Sequence, residues 1–399
     1  MKKLMLLGGI SYLLPVIRKA HELGCHVITV DYLPDNIAHK YSDEYVNVSI
    51  IDKEAVLKVA EEKHIDGIMS FGVDPGVVSA AYVAEKMGLP FQCSYKSACI
   101  LQDKSLFRRF LAENEFNCPK AKGYNNIETA ISEADHFTWP VIVKPVDSAG
   151  SKGVTKVLHK NDLRAALEKA LSASITKHFI VEEFLEAQDR PSGSESFYVD
   201  GELRYNALYD QLFDKNSSNP FVPMVEQWPS SKDKHLLEEA KSQLQRLGDL
   251  LKFKTGLFNV EWRVSNDKVY LMEVSPRAGG NRLSEILNYA TDVDIINAEV
   301  CKSIGLDFGD VHEPNYNGHY AIYNLHSSKD GIFKKLEIEE SFEKKYLVEK
   351  ELRVTQGDKI YAFTGANNSL GTMFLKTGTR QEMNEILENI DSYVKIVLE

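Results

Sequence analysis

The chain has 399 residues, more than one hydrophobic core usually covers, and 43% of them are apolar, enough to fill two or three domains. A formal net charge of −11 with no long basic run argues against nucleic acid or an anionic membrane as the main partner. The five cysteines are odd in number, scattered and without a Cys-x-x-Cys pair, so neither a disulfide framework nor a zinc site is expected, and a reducing cytoplasm fits.

The first residues, Met1 to Pro15, have the look of a signal peptide, but no small-x-small cleavage site follows and Arg18-Lys19 come too soon. No later apolar stretch approaches the ~20 residues of a membrane span. Up to about residue 98, short apolar runs (4–7, 27–30, 45–50, 67–71) alternate with helical patterns (13–23, 53–63, 77–87), which is the logic of βαβ units and a small parallel sheet. Gly24 and Gly88 fall just past helix ends and Asp52 at a helix start. Gly8-Gly9 after the first strand and Asp31 at the end of the second permit a second class of reading, a dinucleotide oxidoreductase, although Gly-x-Gly-x-x-Gly is absent.

A helix is expected from Asp103 to about Asn114, closed by Pro119, and then the apolar strand Trp139–Val146 carrying Lys144. Its Gly/Ser loop, Ser148 to Gly153, is small enough for backbone amides to reach phosphate oxygens, but it lacks the P-loop pattern. The strand Phe179–Leu185 ends in Glu182-Glu183, of which alternation turns one inward, where an adenine amino group would satisfy it. Asp200-Gly201 marks a hairpin, the polar stretch 210–228 reads as a substrate-side loop or an ordinary surface connection, and residues 232–251 as a long amphipathic helix.

A second hairpin joins 255–264 to 268–274. With Ser265-Asn266-Asp267 as a three-residue loop, Val264 pairs with Lys268, and Glu261 lies opposite Leu271 and diagonal to Glu273, about 7 Å away at the backbone. Both acids then share a face with Ser275 and Arg277, so two hard oxygen ligands, a hydroxyl and a guanidinium converge; a two-residue loop would split the acids. Such an acid and base at even spacing inside an apolar strand fit a magnesium-phosphate site better than an edge strand.

Lys104, the Lys144 loop, Val181-Glu-Glu-Phe-Leu185, Glu261 and Glu273-Val-Ser-Pro-Arg277 occur in an order and spacing that resembles the ATP-grasp superfamily, over residues 1 to about 305. The resemblance implies an α/β fold of the α+β ATP-grasp kind: an N-terminal Rossmann-like domain (1–98), a small lobe with the adenine strand (99–185), a catalytic lobe (186–305), both lobes with antiparallel sheets, and an extension packed on that lobe (306–399). It implies Lys104, Lys144, Ser148, Gly150, Ser151 and Gly153 at the nucleotide phosphates, Glu182 at the adenine amino group, Glu183, Phe184 and Leu185 along the ring, and Glu195 at the ribose. Glu261 and Glu273 would hold Mg2+, or Mn2+ in its place, with Ser275 where the family commonly has asparagine; Arg277 and Arg282 would be the catalytic arginines. The implied activity is an ADP-forming carboxylate-amine ligase acting on an amino acid or small metabolite, with a purine-pathway-like enzyme using carboxyphosphate as the alternative and a homodimer compatible with either. His326 reads as a structural histidine.

Overall fold

Leu4 to Leu7 and Val27 to Val30 are almost uniformly apolar because parallel strands are covered on both faces. In the computed structural model, which describes residues 1–147, 152–186, 190–213, 222–365 and 368–399, four such strands form one parallel sheet. Their order is Glu44–Asn47, His26–Asp31, Lys3–Leu7, Gly67–Met69. The helices Leu14–Glu22, Lys53–Lys63 and Val77–Met87 cover it. Asp52 caps the second helix by accepting from the amide of Ala55 at 3.1 Å, and Gly88 ends the third at φ +67°.

The Gly8-Gly9 turn is filled by its own chain: a Cβ on Gly9 would stand 2.5 Å from the His39 ring and from Asn36. Asp31 is engaged by the side-chain amide of Asn36 at 2.8 Å and by the amide of Leu33. A dinucleotide pyrophosphate finds neither room nor a free ribose acid there, so the oxidoreductase reading loses its basis.

The small lobe is an antiparallel sheet in the order Ala121–Tyr124, Phe179–Glu183, Val141–Pro145, Thr155–Val157. Helices Ile127–Ser132 and Leu163–Ala173 close its apolar side over Val141, Val143, Phe179 and Val181. Its other face looks across at the catalytic lobe.

That lobe is built on an eight-stranded antiparallel sheet. The order is Lys268–Ser275, Gly256–Ser265, Ser192–Val199, Glu202–Phe213, Pro223–Trp228, His319–Leu325, Gly371–Thr377, Leu347–Leu352. Two expectations are corrected here. The proline-rich stretch read as a loop contains the strand Pro223–Trp228; Pro223 stands at the strand's first position, where a missing N–H costs least. The C-terminal residues do not merely pack on the catalytic lobe, because their strands extend its sheet by backbone hydrogen bonding. Helix Lys234–Leu251 buries Leu236, Ala240, Leu244, Leu247 and Leu251 at the 3–4 spacing of one apolar stripe. Burying one such leucine is worth about 1.5–3 kcal/mol, so this stripe, more than helix propensity, holds the element in place.

Candidate active site

The second hairpin turns on two residues, not three: Ser265 pairs with Lys268, and Asn266 and Asp267 take φ of 49° and 56°. Asn and Asp tolerate this left-handed pair, which matches the twist of a tight hairpin. A two-residue turn alone would have sent the acids to opposite faces. The register shifts once, however, after the pair Trp262 and Leu271, where Met272 is the extra residue of a bulge. Glu261 therefore stands directly opposite Glu273, and Asn259 opposite Ser275, with Trp262, Val260, Leu271 and Val274 in the core. The acids share a face as expected, but through a bulge that the alternation did not announce.

Glu261 points into the solvent of a cleft that both lobes wall in, and that enclosure, then the charge of Glu273, raises its pKa. Lys104 Nζ lies 3.1 Å from Glu273 Oε2. Burial pulls the lysine's pKa down, but Glu273, Asp74 and Glu261 more than reverse this and lift it. The two carboxylates fit Mg2+: they are hard oxygen donors facing each other, and this ion keeps water and phosphate oxygens as its remaining ligands. Among the described residues no third Asp, Glu, His or Cys completes a cluster.

Ser275 is fully buried and does not serve as the third ligand. Its hydroxyl accepts from Gln102 Nε2 at 2.7 Å and donates to Asp74 Oδ1 at 2.9 Å. Arg277 turns toward the same acid, with Nε 2.8 Å from Asp74 Oδ1 and Nη2 2.7 Å from Oδ2, while Nη1 reaches Asn259 Oδ1 at 3.1 Å. Burial opposes the ionised Asp74, but Arg277 outweighs it and holds the carboxyl below its usual range.

In the small lobe, Lys144 Nζ is 3.0 Å from Glu182 Oε1, and Arg108 Nε is 2.5 Å from Glu182 Oε2. Glu182 is 3% exposed; despite that burial the two cations depress its pKa to about 2. The acid expected to await an adenine amino group is thus occupied from within. Lys144 nevertheless falls to about 8, first by burial and then because Arg108 and Lys104 add positive charge that one glutamate cannot offset. The pair is a triad with one cation in surplus. Arg108 also donates through Nη1 to the carbonyl of Met272 at 2.9 Å, tying the adenine strand to the bulge.

Phe184 and Leu185 line the cleft beside Ile142 and Met272, and Lys156 Nζ covers the Phe184 ring at 3.5 Å. The Glu183 side chain turns from the cleft, its carboxylate accepting from the amide of Thr138, and its own amide donates to the carbonyl of Lys120. Gly153 holds the end of the small-residue loop at φ +74°, where a Cβ would meet Ala173 and Pro145; Ser148, Gly150 and Ser151 lie outside the described residues. Two further expectations fail. Glu195 is wholly buried beneath the Gly279-Gly280 turn, bonded to Asn259 Nδ2, the amide of Gly279 and Ser284 Oγ, so no ribose reaches it; burial raises its pKa to about 7. Arg282 points to the opposite side, onto Glu285, Glu349 and the Phe374 ring, and does not line the cleft.

The cleft, about 360 Å³, runs between the small lobe, the N-terminal domain and the eight-stranded sheet. Among the cleft residues that the sequence reading did not single out are Asp74, Asn259 and Glu226. Asp74 had a signal, since it follows the C-terminal end of a parallel strand, where open α/β sheets bind ligands. Asn259 had one too, two residues before Glu261 on the same face. Glu226 falls in the stretch 210–228, read as a substrate-side loop or a surface connection, but nothing in its own spacing marked it. His326 lies outside the cleft, with Nδ1 2.7 Å from the Asn324 carbonyl oxygen and its ring against Phe363.

Comparison with known proteins agrees with this geometry. Residues 137–285 match the model of the ATP-grasp domain. A formate-dependent phosphoribosylglycinamide formyltransferase of Synechococcus sp. (strain WH7803) is 28% identical over 289 residues, 69% of this chain and 70% of that protein. The C-terminal section of the carbamoyl phosphate synthase large chain of Aquifex aeolicus (strain VF5) is 25% identical over 272 residues, 64% of this chain and 48% of that protein, so the chain spans less than half of this relative. Among solved structures, an L-amino acid ligase from Bacillus licheniformis superposes with a TM-score of 0.82 at 18% identity, covering 100% of this chain and 99% of the other. Phosphoribosylglycinamide synthetase from Anaerococcus prevotii gives 0.78 at 20% identity, with 100% of both chains covered.

Proposed function

We propose that the protein is an ADP-forming ligase that activates a carboxylate with ATP and joins it to an amine, a reading supported by the match of residues 137–285 to the ATP-grasp domain. The observation that carries this reading is the Glu261–Glu273 pair facing Lys104, with Lys144 and Arg277 in the walls of the same cleft. Mg2+ held by Glu261 and Glu273 would neutralise phosphate charge. Lys144 and Lys104 would bind the nucleotide's phosphate oxygens, the surplus charge of Lys144 being satisfied by the anion. Phe184, Leu185, Ile142 and Met272 would sandwich the base.

The substrate carboxylate oxygen attacks the γ-phosphorus and ADP leaves, giving an acyl phosphate whose growing charge Arg277 offsets. The amine then attacks the acyl carbon, phosphate departs, and the nitrogen loses a proton to leave an amide.

A purine-pathway-like enzyme, including one that uses carboxyphosphate, is the second reading; the likeness to the formate-dependent formyltransferase over most of that protein's length supports its purine-pathway part. A homodimer belongs to the same proposal; a related biotin carboxylase domain was solved as a dimer. A reducing, cytoplasmic setting is supported by the five free cysteines, and no described helix is long and apolar enough to cross a membrane. An ADP-release screen over a matrix of carboxylates and amines with ATP and Mg2+ tests the reading. Glu273→Gln should abolish carboxylate-dependent ADP release; unchanged turnover would overturn the metal assignment.

A further inference from the structure

Several carboxylates in this fold are paired with cations: Glu182 with Arg108 and Lys144, Asp74 with Arg277, and Glu299 with Lys302 at 2.8 Å. Glu195 rests on neutral donors alone, but it is closed off beneath the Gly279-Gly280 turn. Glu226 also has only a neutral donor, and it faces the cleft. It is 3% exposed on the strand Pro223–Trp228 and lines the cleft, and among the described residues no Lys, Arg or His forms an ion pair with it. Its one side-chain donor is Asn281 Nδ2, 2.8 Å from Oε2. Directly across the ladder stands Gln211, also buried and also lining the cleft.

One hydrogen bond from a neutral amide does not offset the desolvation of a carboxylate, and a glutamine would serve Asn281 as well if holding that side chain were the whole purpose. An acid left short of a cation at the wall of a cavity is matched by a cation that arrives with the ligand. We propose that Glu226, with Asn281 and Gln211, holds a protonated primary amine carried by a substrate, so that the site selects amino-acid-like molecules over simple carboxylates. The inference rests on the ligase reading above and narrows its substrate. Val222, Pro223 and Leu283, which line the same cleft, provide apolar surface for the remainder of such a molecule. Burial raises the pKa of Glu226 to about 8, helped by the charge of Glu261, as expected of an acid whose counter-charge is not part of the chain.

The amine can belong to the molecule whose carboxylate is phosphorylated or to the nucleophile, which would pass its proton to Glu226 before attacking the acyl carbon, and two assays separate these sources. In the first, hydroxylamine is the nucleophile and ADP release is compared for L-alanine against propionate and for L-leucine against 4-methylpentanoate, in the wild type, Glu226→Gln and Glu226→Asp. Preference for the amino acid should fall on the order of 10- to 100-fold in Glu226→Gln, with part of it restored by Glu226→Asp. In the second, the KM of an amine nucleophile is measured at saturating carboxylate; a rise of that size there, with the first preference intact, assigns Glu226 to the nucleophile. If neither ratio moves in a folded variant, or if the wild type accepts only bicarbonate or formate, the proposal is overturned while phosphoryl transfer stands. If Glu226→Gln releases no ADP, calorimetric binding of the same pairs to wild type and variant gives the ratio. Failure of the ligase reading itself is seen in the wild type alone, as no carboxylate-dependent ADP with any substrate.

Discussion

Asp74 of the N-terminal domain grips Arg277 of the catalytic lobe through both carboxylate oxygens, and the same acid accepts the hydroxyl of Ser275. The guanidinium is thereby aimed by a residue about two hundred positions away in sequence, across a domain boundary. Asp74→Asn keeps the volume but removes the charge, leaving Arg277 buried with a neutral partner. Removing one partner of a buried ion pair costs about 3–5 kcal/mol. We expect a lower Tm together with a kcat reduced at least about tenfold, because Arg277 is freed to turn away from the reacting carboxylate. A variant with wild-type kcat would show that Asp74 serves only to clamp the domains.

The surplus cation at Lys144 makes a pH prediction. With a pKa of about 8 in the nucleotide-free protein, Lys144 is partly neutral in mild alkali, and a bound phosphate favours its charged form. Nucleotide binding near pH 8 should take up protons, and affinity should fall as pH rises through about 8. Calorimetry in buffers of different ionisation enthalpy measures the uptake. Arg108→Met removes one of the two cations that share Glu182, so the lysine's pKa should rise and the uptake at pH 8 shrink. Uptake unchanged by that substitution would refute the triad as its cause.

How much of this was readable from sequence follows from which interactions are local. The parallel strands, the capping by Asp52, the Asp200-Gly201 hairpin and the even spacing of Glu273, Ser275 and Arg277 are carried by neighbouring residues, and composition exposes them. The Met272 bulge is not, since nothing in Leu-Met-Glu distinguishes an extra residue from an alternating one; the register became right through two departures from expectation that cancel. Glu195 and Arg282 misled for another reason. Position along a motif says nothing of whether a side chain turns to the cleft or, as here, under the Gly279-Gly280 turn and out to Glu285 and Glu349. Glu182 and Asp74 acquired their partners Arg108 and Arg277 only through tertiary contacts far apart in the chain.

Arg282 gives a contrasting test of what the cleft requires. Its guanidinium is spread over Glu285, Glu349 and Thr372, with Glu351 3.7 Å away, so it ties the helix Leu283–Ala290 to the C-terminal strands. Arg282→Met should lower stability by about 2–4 kcal/mol, since it leaves a group of carboxylates without their shared cation. The KM for ATP should stay within about twofold of wild type, because the side chain does not line the cleft. Thermal denaturation alongside steady-state kinetics separates the two effects, and a large rise in that KM at unchanged Tm would return Arg282 to the nucleotide site.

Glu226 should shape the stability of the ligand-free protein. Its folded pKa of about 8 lies above the ordinary 4.5, so between those values the folded protein holds a proton that the unfolded chain has lost. Its contribution therefore weakens as pH rises from about 4.5 to about 8 and levels off beyond. Over the part of that span up to pH 7 the loss is about 3 kcal/mol, at 1.36 kcal/mol per pH unit. Glu226→Gln carries no such proton, and its side-chain carbonyl can still accept from Asn281. The variant should be more stable than wild type at pH 8 and nearly equal to it at pH 4.5, as read from urea unfolding midpoints at the two values. Equal midpoints at pH 8 would mean that Glu226 stays ionised at little cost in the empty cleft, and then the acid already has its counter-charge within the fold.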